Sequence, residues 1–326
     1  MPGTARARPP AMTPSLLGLH HVTATVDLAQ PDLDFCLDAL GLRLVKKTVN
    51  FDNHHVYHFY YGDEHGTPGS IWTTFPYNGR GVPVGVKGSG QVTTTSFAVP
   101  AASLEWWRAR LAAHGLSPID GDARFDERSL LVVDPSGLWI ELVGVASDAR
   151  APYTDGGVEP ARAIRGLHSV TVTVADAAPT VSFMQSALGW RVFGVDGART
   201  RMIAGDHAPG HWIDVLQDAS APHAKNGLGT VHHVAMAIGT GEEQAALREA
   251  LLADGVRVTE IRDRQYFTSI YFREPGGVLF EVATMAPGFT VDEPLDALGR
   301  ALKLPPWEEP HRAEIERGLA AIRYRA

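Results

Sequence analysis

Two pairs of adjacent histidines stand in near-identical settings, Leu19-His20-His21-Val22-Thr23 and Val231-His232-His233-Val234-Ala235. A third copy of the frame, Leu167-His168-Ser169-Val170-Thr171, keeps only the first histidine. Imidazole is the commonest protein metal ligand, and a strand-like motif that recurs along a chain marks a duplicated scaffold. Downstream of the last pair, Glu274-Pro275-Gly276-Gly277-Val278-Leu279-Phe280-Glu281-Val282 places a carboxylate inside an otherwise apolar strand. Two histidines and one carboxylate can grip a divalent ion on one face and leave the other face open to a substrate and O2.

Neighbouring strand residues point to opposite faces, so one member of each pair can address a given site. His21 and His233 are read as in phase with the apolar, concave-facing positions of their strands and are the expected ligands. The competing reading is that each pair merely occupies two faces of a strand. Repetition at equivalent positions, with a strand carboxylate downstream, weighs against it. For Glu281 the competing reading is a salt bridge to Arg264 or Arg273, since a buried carboxylate is costly unless it meets a metal or a cation. Glu141 is the internal control: its copy opens with Thr93-Thr94-Thr95-Ser96 and offers no histidine, so it is expected to be structural, as an ion-pair partner. With Ser169 where a ligand would stand, one metal per chain is the expected stoichiometry.

The run Asp263-Arg264-Gln265-Tyr266-Phe267-Thr268-Ser269-Ile270-Tyr271 is too polar for a plain core strand. A tyrosine near a metal can hydrogen-bond a substrate oxygen, and an arginine can support a developing anion. Arg264 and Tyr271 are the candidates, and Tyr266 is read as structural. His54, His55 and His58 have permissive spacing for a metal but no matching carboxylate nearby, so they are read as a cluster without one. Phosphate loops, paired-cysteine zinc sites and nucleophile elbows are missing, which argues against nucleotide-dependent and hydrolase chemistry.

The elements that must position these residues follow one order, a strand, a helix and three strands. The first copy is read as a strand at 18–26, a helix at 32–40 and strands at 42–50, 56–61 and 70–75. The second has a strand at 93–99, a helix at 102–114 and a last strand at 140–145. The third has a strand at 167–174, a helix at 177–188 and a strand at 212–216. The fourth begins at His233, with a helix at 242–253 and strands at 258–262, 266–273 and 278–284. Asp134-Pro135-Ser136-Gly137 and Glu274-Pro275-Gly276-Gly277 punctuate the second and fourth copies at equivalent places. The expected organisation is a mobile tail at 1–15, two-module domains at 16–148 and 164–286 joined by a linker at 149–163, and a C-terminal extension at 287–326. A polar helix-like run at 308–325 is left between packing across the modules and contributing to a homo-oligomer contact.

Composition sets the wider bounds. The chain has 326 residues, 44% hydrophobic and 20% charged, ample for two domain-sized cores. A formal charge of -8 with dispersed Lys and Arg gives no footprint for nucleic acid or an anionic membrane. The lone Cys36 fits a helix core and a reducing, cytoplasmic setting. The proline-bearing N-terminus does not read as a signal peptide, and no apolar run reaches the ~18 residues of a membrane span.

These residues resemble the vicinal oxygen chelate superfamily, and within it the ring-cleaving dioxygenases that act on hydroquinones, of the dichlorohydroquinone dioxygenase kind. The resemblance runs from Gly18 to about Glu293. It rests on the two histidine frames, Val45-Lys46-Lys47-Thr48-Val49-Asn50-Phe51-Asp52, Gly66-Thr67-Pro68-Gly69, Thr73-Thr74-Phe75-Pro76, Ser103-Leu104-Glu105-Trp106-Trp107, Gly166-Leu167-His168-Ser169 and Pro275 to Glu281. It implies an α+β fold, four βαβββ modules forming two vicinal-oxygen-chelate domains with open mixed β-barrels. It implies Fe(II), with Mn(II) as the alternative, held by His21, His233 and Glu281, which requires the first and fourth modules to share a cleft. It further implies roles around substrate for His20, Thr23, His232, Arg264 and Tyr271. O2 would be the co-substrate and a small para-dihydroxylated aromatic the partner, opened beside a hydroxylated carbon. A catechol-cleaving enzyme and a redox-neutral, glyoxalase-like metalloenzyme are the alternatives, and a metal-free binding protein of the resistance type is disfavoured by the intact ligand set. The segment 79–90 and the C-terminal tail match the family poorly.

Overall fold

The computed structural model of the chain describes residues 15–205 and 208–324. The expected tail at 1–15 therefore falls, but for its last residue, outside the described residues. The first copy comprises β1 (Leu19–Val26), α1 (Ala29–Leu33), a π-helix (Asp34–Ala39), β2 (Arg43–Asn50), β3 (Asn53–Gly62) and β4 (Ile71–Pro76). The second comprises β5 (Gln91–Pro100), α2 (Leu104–Ala113), β6 (Ile119–Asp120), β7 (Ser129–Val133) and β8 (Trp139–Val145). The third comprises β9 (Gly166–Val174), α3 (Ala177–Ser186), β10 (Arg191–Asp196), β11 (Arg199–Ile203) and β12 (Trp212–Gln217). The fourth comprises β13 (Thr230–Ile238), α4 (Gly241–Ala253), β14 (Arg262–Asp263), β15 (Thr268–Arg273) and β16 (Leu279–Thr284).

Two elements depart from the periodicity. In place of one helix over 32–40, the chain makes a short α-helix and then a π-helix, in which Leu40 N–H reaches Phe35 C=O while Phe35 and Cys36 are buried. In place of a strand over 258–262, only Arg262 and Asp263 pair with β15, with Val258 bridging Phe272 alone. The fourth helix is terminated as its sequence dictates: Thr240 accepts from Glu243 N–H and the Glu243 carboxylate accepts from Thr240 N–H, closing both ends of a capping box.

The strands form two curled eight-stranded sheets, β14-β15-β16-β13-β1-β4-β3-β2 and β10-β11-β12-β9-β5-β8-β7-β6. The sheets thus join the first copy to the fourth and the second to the third. At each seam two strands pair antiparallel, β1 with β13 and β5 with β9, and both seams carry bulges beside the equivalent polar residues. The repeated turns dock reciprocally across the sheets. A Cβ on Gly229 (φ +75°) would sit 2.2 Å from Ser136 C=O, and Gly90 (φ +89°) faces Gly276 in the matching place, so both positions need glycine.

Val22, Ala24 and Val26 of β1 and Val231, Val234, Met236 and Ile238 of β13 enter an apolar core shared with the helices. Their alternate neighbours are left facing the concave side of the sheet, where the polar residues stand. The C-terminal extension returns to the first copy. Lys46, fully buried, donates to Asp292 (2.6 Å) and Glu293 (2.5 Å), and Tyr57 donates to Ala320 C=O. Its helix is much shorter than the polar run suggests, α5 (Arg312–Gly318), because Pro310 and the turn before it allow only a 3-10 start. Among the described residues no helix is long and apolar enough to cross a membrane.

Candidate metal centre

Three strands of the first sheet bring His21, His233 and Glu281 together. Glu281 sits opposite Ala235 on the parallel strand β13 and opposite Tyr271 on the antiparallel strand β15, while Thr23 of β1 faces His233. Glu281 Oε2 lies 2.8 Å from His233 Nε2 and 3.3 Å from His21 Nε2, and the two Nε2 atoms are 3.3 Å apart. Ligands at right angles around an ion, each about 2.1 Å away, would stand about 3.0 Å from one another. The observed separations bracket that value.

The proton positions around the triad follow from its neighbours. Thr284 C=O can only accept, so the His20 Nε2 that contacts it at 3.2 Å carries the hydrogen. Burial, reinforced by the nearby His21, pushes the His20 pKa down to about 3, so the ring is neutral and its Nδ1 is an acceptor. That Nδ1 lies 2.9 Å from His21 Nδ1, which must donate, and the His21 Nε2 lone pair is thereby turned toward Glu281. His232 Nδ1 stands 2.7 Å from His233 Nδ1 in the same way and is likewise held near pKa 3, by burial first and then by His233. The His21 lone pair, the carboxylate oxygen and, with His232 as acceptor like His20, the His233 lone pair then converge. Such a group of electron-rich atoms is repulsive without a cation between them.

Glu281 confirms the shortage of positive charge. Its side chain is fully buried, and Oε2 has no hydrogen-bond partner, while Oε1 accepts from Ser269. Burial works to raise its pKa, and it is held well below the usual carboxylate range only by positive charge facing it from the side of His21 and His233, the place a cation would take. Neither arginine of the competing reading pairs with it. Arg273 donates to Gly277 C=O, and Arg264 donates to Tyr271 Oη (3.0 Å) and to Asp52 (3.2 Å). The donor set, two imidazole nitrogens and one carboxylate oxygen, fits a divalent transition metal.

The second sheet shows the alternative. There Ser169, Thr94, Glu141 and Arg124 occupy the places of His21, His233, Glu281 and Arg264. Arg124 turns inward and grips Glu141 through two contacts of 3.0 and 2.6 Å, aided by Ser96 and Ser129. A guanidinium thus supplies the charge that Glu281 lacks, and Glu141 is an ion-pair partner.

A cavity of about 390 Å3 opens over the triad, lined by His21 and His233 and by Thr23, His58, His232, Arg264 and Tyr271. This volume suits a single-ring ligand. His20 does not line it; its ring is closed in by Phe267 and Thr284. His232 borders this cavity and a second one beyond it. Tyr271 accepts from Arg264, so its own hydroxyl hydrogen is free to donate, and burial together with Glu281 raises its pKa, keeping the phenol protonated. Tyr266 instead donates to Asp292 and lies in the packing under the extension.

One cavity residue was missed by reasoning from sequence. His54, His55 and His58 read as one cluster in the sequence, yet His58 lines the cavity over the triad while His54 and His55 do not. Its Nε2 contacts Thr73 Oγ1 at 3.0 Å, and Thr73 donates to Thr23 (2.8 Å), which fixes the hydrogen on Nε2 and leaves Nδ1 as an acceptor. Burial first, then His21, His233 and Arg264, keep it neutral. The signal that could have found it is its phase with Tyr60 rather than with His55.

Comparison with known proteins places this geometry in context. Residues 166–282 match the family described as Glyoxalase/Bleomycin resistance protein/Dioxygenase superfamily. A Bacillus subtilis (strain 168) protein provisionally named a ring-cleaving dioxygenase, MhqO, is 39% identical over 96% of this chain and 99% of its own length. The chlorohydroquinone/hydroquinone 1,2-dioxygenase of Sphingobium indicum is 36% identical over 93% of this chain and 95% of its own. Among solved structures, a Bacillus subtilis protein provisionally named a dioxygenase superposes with a TM-score of 0.91 at 38% identity, covering 96% of this chain and 99% of its own. Glyoxalase I from Zea mays shares the fold alone, with a TM-score of 0.61 at 14% identity over 82% of this chain and 92% of its own.

Proposed function

Since the chain belongs to the glyoxalase/bleomycin resistance protein/dioxygenase superfamily, we propose that it is a metal-dependent dioxygenase that opens a hydroquinone-type, para-dihydroxylated aromatic ring beside a hydroxylated carbon. The observation that carries this reading is the triad of two histidines and one carboxylate with its open side under a ring-sized cavity. His21, His233 and Glu281 hold Fe(II), with Mn(II) as the alternative. The bound metal supplies a Lewis acid, a template for ring and O2, and a route for electrons between them.

The chain's own residues do the rest. His58 Nδ1 takes a proton from a ring hydroxyl, and the His58–Thr73–Thr23 chain holds its ring in place for that step. Tyr271 donates its hydroxyl hydrogen to a substrate oxygen, oriented by Arg264 from behind, and the Arg264 charge supports anionic states of the ring. His232 reaches the cavity and can exchange a proton there, whereas His20, closed off by Thr284, positions His21. Thr23 closes the floor beside His233.

The test is O2 uptake by anaerobically purified protein reconstituted with Fe(II), with hydroquinone, methyl- and chlorohydroquinones, and catechol in parallel. Uptake with loss of aromatic absorbance for the hydroquinones is the expected result. Preference for catechol would reassign the substrate, and no uptake from a metal-loaded protein would overturn the reading.

A further inference from the structure

A second group of potential ligands lies outside the cavity, on the outer side of the hairpin formed by β2 and β3. His54, His55 and Glu314 each offer a ligand atom, and these atoms lie within 4.8 Å of one another. The expectation that this histidine cluster lacks a carboxylate fails because the acid comes from α5, some 260 residues later in the chain. The two histidines stand at the start of β3, next to the turn, where strand alternation has not yet separated them, and their rings meet edge to face at 4.5 Å.

The surroundings are those of a ligand group. His54 Nδ1 contacts the Glu308 carboxylate at 2.8 Å, which places the hydrogen on Nδ1, fixes the ring and leaves the Nε2 lone pair free. A carboxylate behind an imidazole in this way raises its basicity and orients it, as it does for metal-bound histidines. His311 stands 6.0 Å from His54, ring centre to ring centre, close enough to turn in as a further donor.

We propose that His54, His55 and Glu314 form a second, structural site for a borderline divalent cation of the Zn(II) class, which clips the C-terminal extension to the β2–β3 hairpin. Imidazole and carboxylate ligands suit such an ion. The clip has a consequence for the cavity wall. Phe51 and Asn53 at the hairpin tip line the cavity, Phe51 packs against Trp307 of the extension, and Asp52 reaches Arg264. An ion at the outer face therefore fastens the segment that borders the substrate.

The inference does not depend on the proposed reaction, and the test separates the two sites. The full-length, metal-stripped protein is titrated with Zn(II) by calorimetry, and trypsin cleavage after Arg312 and Arg317 is followed with and without the ion. The wild type is expected to bind two equivalents, Glu281→Gln one, and Glu314→Gln one; Glu314 is exposed, so its replacement leaves folding intact. Zinc at 100 times its Kd should slow cleavage of the wild type and of Glu281→Gln about 100-fold where cutting requires the clip to open. Protection should vanish in Glu314→Gln and in His55→Ala. A single equivalent on the wild type, or equal protection in Glu314→Gln, overturns the proposal.

Discussion

Replacing His20 by Phe removes the acceptor for His21 Nδ1–H while keeping an aromatic ring against Phe267. In the native protein the Thr284 carbonyl fixes His20, and His20 fixes His21 as the tautomer whose Nε2 is bare. Without it, that tautomer buries an unsatisfied N–H, at a cost of about 1–3 kcal/mol. The ring relaxes by moving its hydrogen to Nε2, where Glu281 Oε2 waits 3.3 Å away, and metal binding must then reverse the change. The expected loss in metal affinity is about 10–100-fold, the range seen when partners behind metal-bound histidines are removed. Competition with a chromophoric chelator under anaerobic conditions at pH 7.5 reads this directly. Thermal unfolding of the metal-free proteins checks that Phe is accommodated. His232→Phe should lose a similar factor through His233, and Glu281→Gln should lose more than either. Unchanged affinity in a folded His20→Phe protein would refute the tautomer reasoning.

The pseudo-equivalent arginines should separate by role. Arg124→Met strands the buried Glu141 and weakens support for Asp214, which should cost about 3–5 kcal/mol in urea unfolding. Arg264→Met breaks a contact with the exposed Asp52 and should cost less than about 1 kcal/mol while lowering turnover; equal destabilisation would contradict the assignment. Tyr271→Phe should lower kcat about 100–1,000-fold with metal content intact, and measured kcat at full metal loading decides it. Asp32, buried and accepting from Tyr61 and Thr74, has its pKa pushed by burial to about 7. The folded state therefore holds a proton that the unfolded chain gives up near pH 4. Stability should fall as pH rises from about 4 to 7, by up to about 4 kcal/mol, and remain lower above that. Asp32→Asn should remove this slope when unfolding is compared at pH 5 and pH 8; an unchanged slope would show that other groups carry it.

The parts of the site legible in the sequence are those encoded by repetition and strand phase. His21 and His233 share a frame, Glu281 and Glu141 follow matching turns, and the contrast with Ser169 and Thr94 marks which half keeps the candidate ligands. Which copies share a sheet is a long-range property, set by the β1–β13 and β5–β9 seams and by the reciprocal docking of Gly229 and Gly90, with no local signal. Arg264 and Arg124 occupy equivalent positions, but one faces Tyr271 and the other a carboxylate, because only one sheet leaves its carboxylate beside two imidazoles. His58 is obscured by its histidine neighbours, and Glu314 lies too far along the chain to be associated with them. The π-helix over Asp34–Ala39 shows the usual apolar spacing of a helix, so packing of Phe35 and Cys36 decides the hydrogen-bond pattern rather than composition.

The most direct test of the central claim is a single turnover of the Fe(II)-loaded protein with hydroquinone under 18O2, with the product trapped at once and weighed by mass spectrometry. The account predicts a ring-opened product carrying both labelled oxygens, formed by the wild type and not by Glu281→Gln. A product isomeric with the substrate and free of label, made by protein with a full complement of metal, would contradict it.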